Sequence, residues 1–254
     1  MKLLWRKTTT KVFGDAHSKN EDVFLPHSSR KEDINRFVMC DGATSSYASC
    51  AWAEILASEF VSSTEMSVRD RVYAAAKQYE AKYPISSLAG MNHSEIEAFK
   101  RGSSATLLLL EQTSSESSRI HVKAVGDTCV FVLDGKGQVL KSFPLEAAEQ
   151  FSTSAHLVTV TFEGLKQLFD EQTKDYYWKE TDIDLSEQPD SLLLCATDAV
   201  SQWIMARRDR PAEIKRLLKA VKRPGRDKFV RFIEHERKAG AMQTDDSTVA
   251  VIRP

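Results

Sequence analysis

Three aspartates in this 254-residue chain stand where apolar runs meet the solvent. Phe37-Val38-Met39-Cys40 runs into Asp41-Gly42, and Leu192-Leu193-Leu194-Cys195-Ala196-Thr197 runs into Asp198. Asp245-Asp246 leads directly into Ser247-Thr248-Val249-Ala250-Val251-Ile252. Short apolar runs of this kind read as buried strands, so each acid is placed at a strand tip. Three carboxylates facing each other without a cation repel and raise one another's pKa values, which is a physical reason for them to share a binding site. Hard divalent cations such as magnesium and manganese take oxygen ligands, commonly a few carboxylates with several retained waters. The competing explanation is three unrelated turns, because Asp and Gly are favoured turn formers and the chain carries 36 acidic residues.

The rest of the composition narrows the field. With 35 basic residues against 36 acidic ones the net charge is -1, so no global field draws nucleic acid or an anionic membrane surface. At 42% hydrophobic the chain can bury a large core, and one domain over residues 1–254 is the expectation. Cys40, Cys50, Cys129 and Cys195 are far apart, each among apolar or small neighbours. They read as core thiols in a reducing compartment, with no Cys-x-x-Cys spacing for zinc or redox work. Met1 to Lys7 is too short and too soon charged for a signal peptide, and no stretch approaches the apolar length of a membrane helix. A cytoplasmic monomer is expected. The Ser-rich and Cys-containing stretches show no Ser/His/Asp or Cys/Arg constellation.

The acids need elements to hold them. Residues 3 to 13 read as a strand, and Gly14 to Lys19 as a loop that delivers Asn20-Glu21-Asp22 ahead of Val23-Phe24-Leu25. Two adjacent acids in a strand point to opposite faces, so at most one of Glu21 and Asp22 can face a given site. After Asp41-Gly42 the spacing predicts a helix from about Tyr47 to Phe60, with Ser45 or Ser46 as N-cap. A second follows near Val68 to Tyr83, ended by Pro84. From Gly102 the texture is β: an apolar run from Ser104 to Leu110, a half-buried strand from Ile120 to Val125, and strands on either side of the Asp134-Gly135-Lys136-Gly137 hairpin turn. Residues 144 to 189 are the least legible, with a strand near His156 to Val160, a helix from Phe162 to Phe169 and a polar surface flap from Thr173 to Glu187. After Asp198 come helices near Pro211 to Val221 and Asp227 to Lys238, then the closing strand. The basic segment from Lys215 to Lys228 reads as a solvated helix face, with an anion site as the alternative. This mixed order, with neither a βαβ alternation nor a Gly-rich phosphate loop, argues for the α+β class over a doubly wound sheet.

Six motifs, taken in order, resemble those of the metal-dependent protein phosphatase family of the protein phosphatase 2C type, in its compact bacterial form. Gly14 to Asp22 is similar to the family's Gly-x-x-Arg-x-x-Asn-Glu-Asp segment, and Asp41-Gly42 to its first metal-binding Asp-Gly. Gly102-Ser103-Ser104-Ala105-Thr106 resembles its Gly-Ser-Thr-Ala strand, and Val125-Gly126-Asp127-Thr128 its Val-Gly-Asp-Ser turn. Leu194-Cys195-Ala196-Thr197-Asp198-Ala199 is similar to its Leu-Cys-Ser-Asp-Gly strand, and Asp245-Asp246-Ser247-Thr248-Val249 to its closing Asp-Asn-x-Thr-Val.

The resemblance implies two antiparallel β-sheets packed as a sandwich and flanked by α-helices, with a two-metal centre at one end. It implies that Asp41 bridges two divalent cations, Mn2+ or Mg2+, that the Gly42 carbonyl serves one, and that Asp198 and Asp245 complete the other. Asp127 would stand near an optional third ion, and Glu21 and Asp22 would orient metal-bound waters. The implied activity is a serine/threonine protein phosphatase in signalling, a phosphoric monoester hydrolase in which a water or hydroxide bridging the ions attacks phosphorus. Its partners would be a phosphorylated protein substrate and an opposing kinase. Three positions depart from the pattern. His17 replaces the arginine that grips the substrate phosphate, and imidazole cannot form the same bidentate fork; Arg6, Lys7, Lys19, Arg30 and Arg36 are the other candidates for that contact. Ala43 stands where eukaryotic members have a histidine, and Ala199 replaces the glycine after the metal-binding Asp. His17 motivates a second reading, a catalytically weak or inactive pseudophosphatase that binds phosphoproteins; a third keeps the metal chemistry on a small phosphate ester.

Overall fold

A strand that is apolar at every position needs cover on both faces, and that requirement sets the architecture. The computed structural model of the chain describes residues 1–11, 19–26, 35–62, 65–112, 118–152, 155–188 and 190–254. Its strands are β1 (Lys2–Thr9), β2 (Asp22–Leu25), β3 (Arg36–Asp41), β4 (Ser104–Ala105), β5 (Leu107–Gln112), β6 (Arg119–Val125), β7 (Cys129–Leu133), β8 (Val139–Phe143), β9 (Val158–Thr159), β10 (Lys179–Asp184), β11 (Leu192–Ala196) and β12 (Ser247–Arg253). Its helices are α1 (Ser49–Ser62), α2 (Val68–Lys82), α3 (His93–Arg101), α4 (Phe162–Phe169), α5 (Lys174–Tyr177), α6 (Asp198–Met205), α7 (Pro211–Lys222) and α8 (Asp227–Lys238). Among the described residues the strands form two five-stranded antiparallel sheets, ordered β1-β12-β11-β7-β8 and β10-β6-β5-β3-β2, and the short pair β4-β9.

Period-2 alternation sends successive side chains to opposite faces. Phe37, Met39, Leu108 and Leu110 of one sheet meet Val130, Val132, Leu193, Ala250 and Ile252 of the other between the sheets. Val38, Cys40, Leu107 and Leu109 face outward, where α1 and α2 cover them through Trp52, Leu56, Phe60 and Val72. On the far side Phe131, Leu194, Val249 and Val251 lie beneath Trp203 and Ile204 of α6, Ile214 and Leu217 of α7, and Phe229 and Ile233 of α8. The chain is therefore α+β, an antiparallel sandwich with helices on both outer faces, as expected. Among the described residues no helix is long and apolar enough to cross a membrane.

Several local expectations are corrected. The run from Ser104 to Leu110 is not one strand: β4 pairs with β9 while β5 joins β3 and β6, and the break falls at Thr106, whose bonds are described below. The first helix starts at Ser49, because Ala48 adopts a left-handed backbone with φ 51°. Ser46 does not cap it; its hydroxyl donates to the Ala43 carbonyl at 2.7 Å and accepts the Ser104 N–H at 3.2 Å. The polar stretch after Thr173 is not a flap throughout, since β10 pairs with β6 from Lys179 opposite Ala124 to Asp184 opposite Arg119. Its charges suit an edge strand, which they protect from pairing with another chain. Cys40, Cys129 and Cys195 are buried, whereas Cys50 is half-exposed on α1.

Candidate metal centre

The strand ends bring acids from distant parts of the chain to one end of the sandwich. Asp22 opens β2 directly opposite Asp41, which closes β3. In the other sheet, the end of β11 at Ala196 lies opposite Cys129 and Val249, so Asp198, Asp127 and Asp245 emerge at a common edge. Asp198 opens α6, a helix the sequence reading missed; the positive end of a helix favours an acid there. Ala199 is a buried residue of that helix, so the residue after the aspartate is helical and needs no glycine.

Each acid is held by bonds that explain its neighbours in sequence. The Asp41 N–H donates to Thr106 Oγ1 at 2.9 Å, and the Asp41 carbonyl accepts the Thr106 N–H at 2.8 Å. Thr106 Oγ1 also meets Thr128 Oγ1 at 2.6 Å, tying the two sheets together behind Asp41. Gly42 is there because there is no room for a side chain: a Cβ would lie 3.0 Å from the Ser49 carbonyl and 3.1 Å from the Glu21 oxygen. Glu21 precedes β2 and accepts bonds from Ser49 Oγ, from Thr44 Oγ1 at 2.8 Å and from Lys11 Nζ at 3.2 Å. The Asp22 carboxylate accepts the Thr197 hydroxyl at 3.1 Å through Oδ2, while its buried Oδ1 has no hydrogen-bond partner among the described residues.

Asp245 and Asp246 divide their work. Asp246 is buried, and its two oxygens accept the backbone N–H groups of Lys11 at 2.7 Å and Glu21 at 2.6 Å. It fastens the segments on both sides of residues 12–18. Asp245 is half-exposed, and its Oδ1 accepts the Asp246 N–H at 2.8 Å. The loop is anchored from behind by Arg237, whose side chain is 5% exposed. Its guanidinium donates to the carbonyls of Thr10, at 3.1 Å, of Lys11, at 3.3 Å, and of Asp245, and to Ser247 Oγ at 3.1 Å. The sequence carried no signal for Arg237, which is one basic residue of many on α8. Thr106 and Thr197 were signalled only by their places in the Gly102–Thr106 and Leu194–Asp198 motifs.

The acids feel one another. Burial, followed by the charges of Asp22, Asp198, Asp127 and Asp245, holds the Asp41 carboxyl well above the usual carboxylate range. Asp22 is likewise raised, first by burial and then by Asp246 and Asp198, against the lowering effect of the Thr248 and Thr197 hydroxyls. Asp198 is pushed up to about 7 by burial, with Asp127 and Asp245 contributing. Asp127 is raised by burial and by Asp245. Asp245, two hundred residues from Asp41 in the chain, is thus close enough for its charge to act on the Asp41 carboxyl.

This donor set fits a divalent cation in kind. It offers hard oxygens, a repulsion that positive charge would relieve, and in Asp22 Oδ1 a buried acceptor of the sort that a cation or its water satisfies. Among the described residues no three His, Cys, Asp or Glu side chains close around a single point. Asp127 also borders a cleft of about 330 Å³ lined by Pro144, Gln150, His156, Tyr176 and Lys179. His17 and Arg30 lie outside the described residues. Of the other cations considered for the phosphate, Arg6 donates to the Phe24 carbonyl at 3.2 Å and Lys7 to that of Gly225 at 2.6 Å. Arg36 pairs with Glu111 at the opposite end of β3 from Asp41, about 17 Å along the strand. Lys19 is exposed.

No family model and no curated protein matches the sequence. Solved structures do match the fold. The serine/threonine phosphatase Stp1 from Staphylococcus aureus is 17% identical, with a TM-score of 0.53 over 100% of this chain and 97% of that one. A bacterial serine phosphatase is 16% identical, with a TM-score of 0.51 over 97% and 95% of the two chains. PppA, a key regulatory component of T6SS in Pseudomonas aeruginosa, is 12% identical, with a TM-score of 0.50 over 99% and 98%. The chain has the protein phosphatase 2C-like fold, shared along its whole length with proteins of which two carry the name phosphatase.

Proposed function

We propose that the chain is a metal-dependent serine/threonine protein phosphatase, a phosphoric monoester hydrolase that opposes a kinase. The observation that carries this reading is the convergence of strand ends at one end of the sandwich, where Asp22 lies opposite Asp41 and the end of β11 between Cys129 and Val249 brings Asp198 beside the Asp127 and Asp245 turns. Asp41, the Gly42 carbonyl, Asp198 and Asp245 would hold two divalent cations, manganese or magnesium, with Asp127 beside a third. When bound, such a pair lowers the pKa of a water and neutralises phosphoryl oxygens.

The chain's own groups supply position. Thr106 fixes the Asp41 backbone from both sides, and the absence of a side chain at Gly42 lets the Ser49 and Glu21 backbones close in. Glu21 gathers Thr44, Ser49 and Lys11 beside the acids; either His17 or a nearby Arg or Lys would contact the phosphate. The cleft beside Asp127 offers a resting place for the substrate chain, with Lys179 and His156 on its wall.

Purified protein with millimolar manganese should release phosphate from a phosphothreonine peptide, and Asp41→Asn should abolish release. Turnover that survives in EDTA, or no turnover with manganese, would overturn the proposal. Tight phosphopeptide binding without turnover would favour a phosphoprotein-binding module instead, and faster cleavage of small esters than of phosphopeptides would favour a small-molecule phosphatase.

A further inference from the structure

The basic segment that the sequence offered as a solvated face is organised. On α7, Arg216, Lys219 and Ala220 fall at i, i+3 and i+4, with Arg223 just past the helix end; on α8, Lys228, Arg231, Phe232 and His235 fall at i, i+3, i+4 and i+7. Residues so spaced share one face of a helix. The two faces line a single groove of about 590 Å³, within the range of about 300–1,000 Å³ usual for ligand clefts. Each wall carries basic side chains around one apolar residue, and no carboxylate lines the groove.

The countercharge lies elsewhere. Glu236 pairs with Arg216 at 3.3 Å, but it is buried and also accepts the Trp203 indole N–H at 2.9 Å. Glu234 pairs with Arg237, and with Asp227 it lines a neighbouring cleft on the other flank of α8 that Arg231 and His235 border as well. Lys219, Arg223, Lys228 and Arg231 are exposed and form no ion pair among the described residues. Like charges three and four residues apart cost a helix stability, and in a chain of net charge -1 two such stripes turned toward each other are not the average surface.

We infer that the α7–α8 groove binds an acidic segment of a partner protein. Its floor separates this occupant from a single-stranded nucleic acid. Among the described residues Phe232 is the one Phe, Tyr or Trp ring in the lining, and it already meets Trp203 edge-on at 5.3 Å with the Arg216 guanidinium 5.7 Å from its centroid, so the groove has no row of aromatic platforms on which successive bases could stack. Ala220 and Phe232 between basic walls instead suit an extended peptide that alternates acidic with apolar side chains. This binding does not depend on the metal centre, so it stands or falls separately from the phosphatase activity.

Fluorescence anisotropy with a labelled twelve-residue peptide of alternating Glu and Leu tests it. Wild type should bind the peptide with an affinity that falls as salt rises, and should not bind the same peptide with Gln in place of Glu. Lys219→Glu with Arg231→Glu should weaken binding about tenfold or more, and Lys219→Gln with Arg231→Gln by less; circular dichroism of both confirms folding. Lys77→Glu with Lys82→Glu, the same change of charge on α2, should leave binding unaltered. Equal loss in the α2 variant, binding of the Gln peptide, no binding at low salt, or displacement of the peptide by an equal-length single-stranded oligonucleotide at lower concentration would each overturn the inference.

Discussion

Removing the charge at Asp198 should act in opposite directions on the bare protein and on the metal-loaded one. The carboxyl is raised from 3.8 to about 7, chiefly by burial and then by Asp127 and Asp245. A carboxyl with a higher pKa in the folded chain holds its proton more tightly there, so its favourable contribution is complete below pH 3.8 and is lost as pH rises through about 7. At 1.36 kcal/mol per unit, the penalty of ionisation reaches at most about 4 kcal/mol at pH 7.5 and about 2 kcal/mol at pH 5. Asparagine keeps the oxygen that accepts the Ala199 N–H and carries no charge. Asp198→Asn should therefore melt several degrees above wild type in EDTA at pH 7.5, at about 2–4 °C per kcal/mol, and the gap should narrow at pH 5. On the proposed ligand assignment the same change removes an anionic ligand, so millimolar manganese should raise the Tm of wild type and not that of the variant. Thermal melts by circular dichroism, with EDTA or manganese at both pH values, read all four states. A variant that melts at or below wild type in EDTA at pH 7.5 would refute the electrostatic argument, and equal stabilisation of both proteins by manganese would refute the ligand assignment.

Gly42→Ala forces a Cβ against the Ser49 carbonyl and should cost about 1–3 kcal/mol, read as a lower urea midpoint; an unchanged midpoint would mean that the α1 start yields freely. Thr106→Val keeps the shape but takes away the acceptor for the Asp41 N–H and the link to Thr128. It should cost about 1–3 kcal/mol, and Thr106→Ser should restore most of the loss. Arg237→Gln breaks the tether between the Thr10–Lys11 and Asp245–Ser247 segments. It should destabilise by about 2–3 kcal/mol and weaken manganese binding by calorimetry; wild-type affinity would show that the Asp245 loop holds its place without it.

The sandwich was legible because its strands are buried on both faces. Runs such as Leu107 to Leu110 and Val249 to Ile252 leave few alternatives once Gly and Asp mark their ends. The helices α7 and α8 were legible for the same reason of period, with Pro211 opening one and the polar 223–226 loop separating them. What the sequence concealed follows from contacts between distant residues. The apolar run from Ser104 to Leu110 has no punctuation at Thr106, since the break exists to bond Asp41, more than sixty positions away. The edge strand β10 shows little alternation because Glu180 and Asp182 on one face pair with Lys123 and His121 of β6, while on the other face only Ile183 is apolar. The split between Asp245 and Asp246 cannot be read from two identical letters; it depends on which of them reaches the Lys11 and Glu21 amides. His17 stays an expectation, outside the described residues.

The strand Ser247–Arg253 is the twelfth in chain order yet the second in its sheet, lying between β1 and β11. A ribosome making this protein therefore finishes most of the sandwich before the strip that joins its first-made edge to the centre exists. Until then β1 has no neighbour, the Lys11 and Glu21 amides lack the acceptor that Asp246 brings, and the cluster of acids lacks Asp245. Any activity of the site should thus begin only once β12 has taken its place between β1 and β11, which keeps chains without that strand inert.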